Sequence, residues 1–226
     1  MGRLLFETGY ASNAVKYHLR ALNYNSREMQ AMIGIGNAYY ELGKLSEAIE
    51  YYRQALDQDD RQGQVHFNLA NALYLNQQMD EAVKHYKIAV SLISDKPEYY
   101  LNLGNALSAE ERIEESKDAY LKAIEIDPKY PAYYNLGDAQ FTLEEIKPSI
   151  ESYKKALELE DGYYDVHFNL ATAFKRDNQL NEAIKHYQFA LTFEDKAEAH
   201  IGLAEIYEEQ EDLDKASQAY ENALKV

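Results

Sequence analysis

The chain has 226 residues, 46% of them hydrophobic and 27% charged, and such a composition predicts a folded protein with a sizeable buried core. It contains no cysteine, which excludes disulfides, thiolate nucleophiles and cysteine-ligated metal centres. Its formal net charge of -16 at pH 7 argues against nucleic acid and anionic membranes as partners, because both repel an acidic surface.

The chain also has no apolar run near the roughly 20 residues that a membrane helix needs. Its opening segment, MGRLLFETGY, is too short and carries charge too early for a signal peptide. We therefore expect a cytoplasmic protein.

A small residue in similar surroundings recurs every 33 or 34 residues. These residues are Gly2, Gly36, Ala70, Gly104, Gly137, Ala171 and Ala204. The segments HFNLANALYLNQQMDEAVKHY and HFNLATAFKRDNQLNEAIKHY, which begin 101 residues apart, belong to the third and sixth members of this series. The spacing predicts a single domain of seven repeats. The repeats cover 1–28, 29–62, 63–96, 97–129, 130–163, 164–196 and 197–226, and the first and last are incomplete.

We number the repeat so that Met29 is position 1 of the second repeat. Apolar residues then fall at positions 4, 7, 8 and 11 and again at 20, 24, 27 and 28, which are the spacings of two amphipathic helices. A short polar turn, such as residues 42–44, separates them. Position 27 is alanine in every repeat, and position 24 is tyrosine in all but the first, which has His18. Small residues let neighbouring helices approach closely, and the tyrosine fills the space that remains.

This pattern resembles the tetratricopeptide repeat family, which has a bulky position 4, Leu-Gly at 7 and 8, Tyr at 11, Ala at 20 and 27, an aromatic residue at 24 and Pro at 32. The resemblance covers the whole chain. Proline at position 32 survives only as Pro128, and position 11 of the fifth repeat is Gln140. The resemblance implies an all-α, right-handed α-solenoid of seven helix-turn-helix repeats.

The two ends of the series carry no extra polar helix that would cap a solenoid. We expect either a piece of a longer array or ends that are covered by a partner or by a second copy of the chain. Self-association through uncapped ends is therefore one expectation.

Asparagines occupy positions 6 and 9 in several repeats, on the helices that line the concave groove in this family. They are Asn37, Asn68, Asn71, Asn102, Asn105, Asn135 and Asn169. An amide offers both a donor and an acceptor, so such a ladder can bind the backbone of an extended peptide, as in the similar array of O-GlcNAc transferase. The alternative is that the amides pack adjacent helices.

Aromatic and aliphatic side chains at positions 5 and 12 accompany the amides. The candidate apolar contacts are Tyr40, Phe67, Tyr74, Leu101, Tyr134 and Phe168. Rings beside amides suit a groove for a peptide segment, although some of these residues also pack between helices.

Histidines recur at position 4 (His66, His167 and His200) and at position 23 (His85 and His186). Position 4 belongs to the packed stripe, so we expect half-buried aromatic residues with a structural role and no metal site. The sequence has no catalytic motif and no cofactor-binding motif. It also lacks the basic residues with which some relatives hold a C-terminal carboxylate.

The sequence thus predicts a non-enzymatic scaffold that binds an extended or helical peptide segment of a protein partner. Two alternatives stay open. The chain could be the substrate-recruiting arm of a larger enzyme, such as an O-GlcNAc-type glycosyltransferase, or a structural spacer in a multiprotein assembly.

Overall fold

The computed structural model describes residues 2–25, 28–160 and 163–226, without the side chains of residues 2–9 and of Tyr130. Over these residues the chain forms thirteen α-helices and no β-strand, which confirms the all-α prediction. The helices are α1 (Gly2–Tyr24), α2 (Met29–Glu41), α3 (Leu45–Leu56), α4 (Gly63–Leu75), α5 (Met79–Leu92), α6 (Pro97–Ala109), α7 (Ile113–Ile126), α8 (Tyr130–Thr142), α9 (Ile146–Leu159), α10 (Tyr164–Arg176), α11 (Leu180–Phe193), α12 (Ala197–Glu209) and α13 (Leu213–Ala223).

From Met29 onward, each predicted repeat contains two helices joined by a short turn. The first repeat differs, because the pattern predicts a turn at residues 8–10 and α1 instead runs unbroken over Gly2–Tyr24. A separate first helix of about one or two turns would form few internal hydrogen bonds, and short helices are marginal in water. Continuing α1 satisfies those backbone groups within one helix.

The chain divides into two compact units, Met1–Arg112 and Ile113–Val226. In the first unit the core contains the tyrosines at position 24 and the alanines at position 27, including Tyr52 and Ala55. In the second unit Tyr153 and Ala156 occupy the same repeat positions and are equally buried. Each unit therefore has its own core built from the small and large residues that the sequence alternates.

Close approach of helices is most evident at two of the position 8 glycines. A Cβ atom added to Gly36 would lie 2.6 Å from Cε1 of Tyr52, and one added to Gly137 would lie 2.6 Å from Cε1 of Tyr153. The tyrosine ring therefore occupies the space that a larger residue at position 8 would need.

The turn inside each repeat from the second to the seventh has the same hydrogen bonds. At the first of them the Gly43 amide donates to the Tyr40 carbonyl (3.0 Å) and the Lys44 amide donates to the Tyr39 carbonyl (2.9 Å). This pair of hydrogen bonds is the Schellman motif, which needs a residue with positive φ after the helix. That residue is at position 15: Gly43, Gln77, Glu111, Glu144, Asn178 and Glu211.

One histidine pair connects the two helices of the third repeat, and a second pair connects the two helices of the sixth. The Nδ1 atoms of His66 and His85 lie 2.8 Å apart, and His66 Nε2 lies 2.9 Å from the Asp60 carbonyl oxygen. Because that carbonyl only accepts, His66 carries its proton on Nε2, and His85 donates from Nδ1. The Nδ1 atoms of His167 and His186 are 2.9 Å apart in the same way.

His66 and His167 are buried in the core, more deeply than the half-buried position that the pattern predicted. His200 is only half-buried, and its Nε2 lies 2.7 Å from Oδ1 of Asp195. Within the described part of the chain, no three side chains of His, Asp or Glu come together in an arrangement that could hold a metal ion. None of the described helices combines the length and the apolar character needed to cross a bilayer.

The first prediction concerns the turns. Replacing Gln77 (φ 62°) by glycine is expected to raise the free energy of unfolding by about 0.5–1 kcal/mol, because glycine adopts this conformation without a Cβ clash. The reciprocal change, Gly43→Ala, should lower it by about 1 kcal/mol or more. Urea unfolding followed by circular dichroism measures both, and equal effects of the same sign would contradict the argument.

The second prediction concerns the stability of the fold at acidic pH. Burial, assisted by the neighbouring ring of His66 or His167, lowers the pKa of His85 and of His186 to about 4. The unfolded chain binds these protons near pH 6.5, whereas the folded chain does not until about pH 4. The free energy of unfolding should therefore fall as the pH drops from 6.5 to 4, by about 2–3 kcal/mol for each pair.

The control for this prediction is the double variant His85→Gln/His186→Gln, which keeps a donor toward His66 and His167 but does not titrate. Its free energy of unfolding, measured in urea at several pH values, should change much less between pH 6.5 and 4. A slope identical to that of the unaltered chain would rule out the histidine pairs as its source.

Candidate functional site

The asparagines of the first unit lie on the first helix of their repeats, on α2, α4 and α6. Positions 6 and 9 are three residues apart, so on a helix they share one face. Asn68 and Asn71 on α4 and Asn102 and Asn105 on α6 are all partly buried, whereas Asn37 on α2 is exposed.

A hydrogen-bond network connects these amides with the core. The buried Tyr52 hydroxyl donates to Asn37 Oδ1 at 2.8 Å, and Asn68 Nδ2 of the following repeat donates to the same oxygen at 3.0 Å. Burial raises the pKa of Tyr52, which keeps its hydroxyl protonated as a donor. One amide oxygen thus joins side chains of α2, α3 and α4.

The next repeat has the same arrangement. The Tyr86 hydroxyl donates to Asn71 Oδ1 at 2.5 Å, and Asn102 Nδ2 donates to that oxygen at 3.0 Å. Burial also raises the pKa of Tyr86. Both lone pairs of the position 9 oxygen are therefore in use, as they are at Asn37.

The amide nitrogens of Asn37 and Asn71 are the groups of this network that remain available to a ligand. No described residue accepts a hydrogen bond from Nδ2 of Asn37 or from Nδ2 of Asn71. An amide nitrogen carries two donor hydrogens. The face therefore offers N–H donors at regular intervals, and such donors suit carbonyl oxygens.

Two adjoining depressions of about 190 and 270 Å³ lie along this face of the first unit. The smaller is lined by Tyr40, Asn71, Tyr74, Leu75, Tyr86, Asn102 and Asn105, and the larger by Asn37, Tyr40, Glu41, Tyr52, Asn68 and Asn71. Both are below the roughly 300–1,000 Å³ of pockets for drug-sized molecules, so they suit single side chains of a longer ligand. They share Tyr40 and Asn71, which makes them one continuous track.

The second unit has a similar network of its own, with a different residue at position 9. Asp138 Oδ1 accepts the Tyr153 hydroxyl at 2.7 Å and Asn169 Nδ2 at 3.0 Å. A carboxylate only accepts, so Tyr153 and Asn169 are the donors at this position. In the following repeat the position is Thr172, whose Oγ1 lies 3.0 Å from the Tyr187 hydroxyl oxygen.

Asp138 is partly buried, and its electrostatic surroundings are unusual for a carboxylate. Burial raises its pKa above the ordinary value, hydrogen bonds from Tyr153, Asn169 and Tyr134 oppose that shift, and the charge of Asp165 adds to it. Sequence reasoning missed this residue. The signal was present, because Asp138 stands where three preceding repeats have asparagine.

The predicted site residues divide into three groups. Those that line the depressions of the first unit are Asn37, Asn68, Asn71, Asn102, Asn105, Tyr40 and Tyr74. Phe67 instead stacks on Tyr99, with ring centroids 4.1 Å apart, and Phe168 stacks on Tyr164 at 5.6 Å. The Phe67 ring therefore packs between α4 and α6, whereas Tyr164 lies on the same helix as Phe168, whose contact with another helix is with Tyr187 of α11 at 5.6 Å between ring centroids.

The other predicted residues are partly buried. In the second unit the Tyr134 hydroxyl accepts a hydrogen bond from Asn169 Nδ2 at 3.1 Å, beside Asn135 on α8. In the first unit Leu101 lies on α6 outside the two depressions. The amides thus also hold neighbouring helices together, as the alternative interpretation expected.

Comparison with protein families identifies the repeat. A model described as tetratricopeptide repeat matches residues 1–63, 33–97 and 168–225, a model described as TPR repeat matches 104–144, and a second tetratricopeptide repeat model matches 130–163. No curated protein sequence matches the chain.

Several solved structures share the fold. MamA is 25% identical with a TM-score of 0.69, and the match covers 71% of this chain and 94% of MamA. YrrB, described as a TPR protein with an unusual peptide-binding site, is 16% identical with a TM-score of 0.76, covering 82% of this chain and 97% of YrrB. PilF of Pseudomonas aeruginosa is 21% identical with a TM-score of 0.67, covering 86% of this chain and 90% of PilF.

The first of these family models alone matches more than half of the chain, and from the second repeat onward the helices pair as that family requires. The protein belongs to the tetratricopeptide repeat family.

Proposed function

We propose that this protein is an interaction scaffold that binds an extended peptide segment of a protein partner on the face formed by α2, α4 and α6. The observation that carries the proposal is the pair of adjoining depressions with the Nδ2 groups of Asn37 and Asn71 at their walls. The peptide-binding site named for the structurally similar YrrB supports the same role. The proposal assigns no catalytic step to the chain.

Two kinds of contact would hold the peptide. The amide N–H groups of Asn37 and Asn71 would bond backbone carbonyl oxygens, which every peptide carries, so this contact gives affinity without demanding a sequence. The rings of Tyr40 and Tyr74 would contact side chains that enter the depressions, and they provide apolar area at little cost in conformational entropy.

The alternative roles differ in which surface they use. A substrate-recruiting arm of a larger enzyme would bind its substrate on this same face, whereas a structural spacer would use outer or end surfaces. Selection of peptides on the isolated chain therefore separates a peptide-binding role from that of a spacer.

The third prediction tests the depressions. A random dodecapeptide library displayed on phage is selected on the full chain, and the affinity of the enriched peptides is measured by isothermal titration calorimetry. The double variant Tyr40→Ala/Tyr74→Ala should lose about tenfold or more in affinity, because two aromatic contacts near the centre of the face are removed.

Tyr17→Ala is the matched control for this experiment, because Tyr17 is a 68% exposed tyrosine on α1 outside both depressions. It should leave the affinity unchanged. Failure of the library to enrich any peptide, or equal losses in the control and the double variant, would refute the proposed function.

The fourth prediction tests the amide donors through Asn71→Asp. The aspartate keeps an oxygen for the Tyr86 hydroxyl and Asn102 Nδ2, but it replaces the two remaining N–H donors by an acceptor. Peptides without basic residues should bind about five- to tenfold more weakly, because a hydrogen bond is lost and two oxygens now face each other. Calorimetry measures the loss, and unchanged binding would show that Asn71 does not contact the peptide.

A further inference from the structure

The fifth repeat, in the second unit, departs from the repeats of the first unit at position 9. Repeats two to four have asparagine at position 9, and the fifth has Asp138 in the same hydrogen-bonded place. Oδ1 of Asp138 does what the asparagine oxygen does, since it accepts from one position 24 tyrosine and from one position 6 asparagine. The difference lies in the second atom of the side-chain head, which is a charged oxygen in place of an NH₂ group.

This change reverses what the position can bind. Asn37 and Asn71 have N–H donors left over for a carbonyl oxygen, but a carboxylate has none and repels one. A carboxylate attracts an ammonium or guanidinium group, and a charge-assisted hydrogen bond is roughly twice as strong as a neutral one.

No basic residue of the described chain neutralises Asp138. The groups that shift its pKa are its own burial, the neutral donors Tyr153, Asn169 and Tyr134, and the carboxylate of Asp165. Burial of a carboxylate costs free energy unless a positive charge pairs with it. The donors around Asp138 form hydrogen bonds with the carboxylate but are neutral, so they do not neutralise its charge. A cation arriving from a ligand would supply the missing compensation.

The cations on the neighbouring α10 are engaged elsewhere. Lys175 pairs with Glu205, and Arg176 pairs with Glu144 while its guanidinium lies 5.8 Å from the centre of the Phe141 ring. Two aromatic rings accompany Asp138. The hydroxyl groups of Tyr134 and Tyr153 both donate toward its carboxylate, and the centroids of their rings are 6.1 Å apart. Rings beside a carboxylate are a favourable setting for a lysine or arginine side chain.

We propose that Asp138 is the site at which the second unit binds a basic side chain, lysine or arginine, of a peptide segment of a protein partner. This inference rests on the proposed function and adds to it the charge of the ligand. Position 9 of the first unit selects carbonyl oxygens, and position 9 of the fifth repeat selects a positive charge.

The experiment repeats the dodecapeptide selection on three full chains: the unaltered protein, Asp138→Asn and Glu221→Gln. The first variant keeps an oxygen for Tyr153 and Asn169 and should fold as before, which circular dichroism checks. The second removes the same charge from an exposed residue of α13 and controls for general attraction of basic peptides to an acidic protein.

Peptides selected on the unaltered protein and on Glu221→Gln should carry a lysine or arginine at one fixed place, and those selected on Asp138→Asn should not. For one such peptide, exchange of the basic residue for methionine should weaken binding to the unaltered protein about tenfold and binding to Asp138→Asn less than about threefold.

The outcomes separate the two proposals. Enriched peptides without a fixed basic residue, or a basic preference that persists in Asp138→Asn, would overturn the assignment of Asp138 and leave the peptide-binding function standing. Loss of the preference in Glu221→Gln as well would show a general charge effect and would also overturn it. Absence of any enriched peptide would refute the proposed function and the inference together.

Discussion

Close approach of neighbouring helices at small residues is the constraint on which the rest of this structure depends. Glycine at position 8 leaves a space that the ring at position 24 fills, as Tyr52 does beside Gly36. The ring is large, buried and held on all sides, so its hydroxyl group has little freedom of position. That hydroxyl reaches the edge of the core and donates to the residue at position 9. The packing of the core therefore determines where the polar groups of the candidate binding face lie.

The tyrosine at position 24 both fills space in the core and donates a hydrogen bond to the residue at position 9. Phenylalanine would fill the same volume, but it would leave the amide or carboxylate oxygen at position 9 without one of its donors. The hydroxyl of Tyr153 does this for Asp138, where it helps to keep a charge in a partly buried place. Stability and surface chemistry are thus coupled through a single side chain in the second, third and fifth repeats.

The sequence predicted the repeat, the helix pairs and the face that carries the amides, because these depend on spacing along one chain segment. It did not predict the left-handed turn residue in most repeats, since only Gly43 and Asn178 among the six residues with positive φ are of a type that favours this conformation. The Schellman hydrogen bonds impose that conformation on Gln77 or Glu111 regardless of their own preference. The continuous helix α1 was missed for a related reason, because the repeat pattern says nothing about whether a shortened helix has enough contacts to stay separate.

The roles of individual site residues were harder to predict than their location. Whether Phe67 is available to a ligand depends on the offset between successive repeats, and here that offset places it against Tyr99. Spacing also could not reveal that the amides bond one another, since this depends on the relative height of adjacent helices. These bonds run in one direction: Asn68 reaches back to Asn37, and Asn102 reaches back to Asn71. Each such repeat donates a hydrogen bond to the position 9 oxygen of the preceding repeat and offers its own position 9 oxygen to the following one. Duplication or deletion of one whole repeat of about 34 residues therefore preserves the donor and acceptor pairing between neighbours, and recombination can lengthen this surface one repeat at a time.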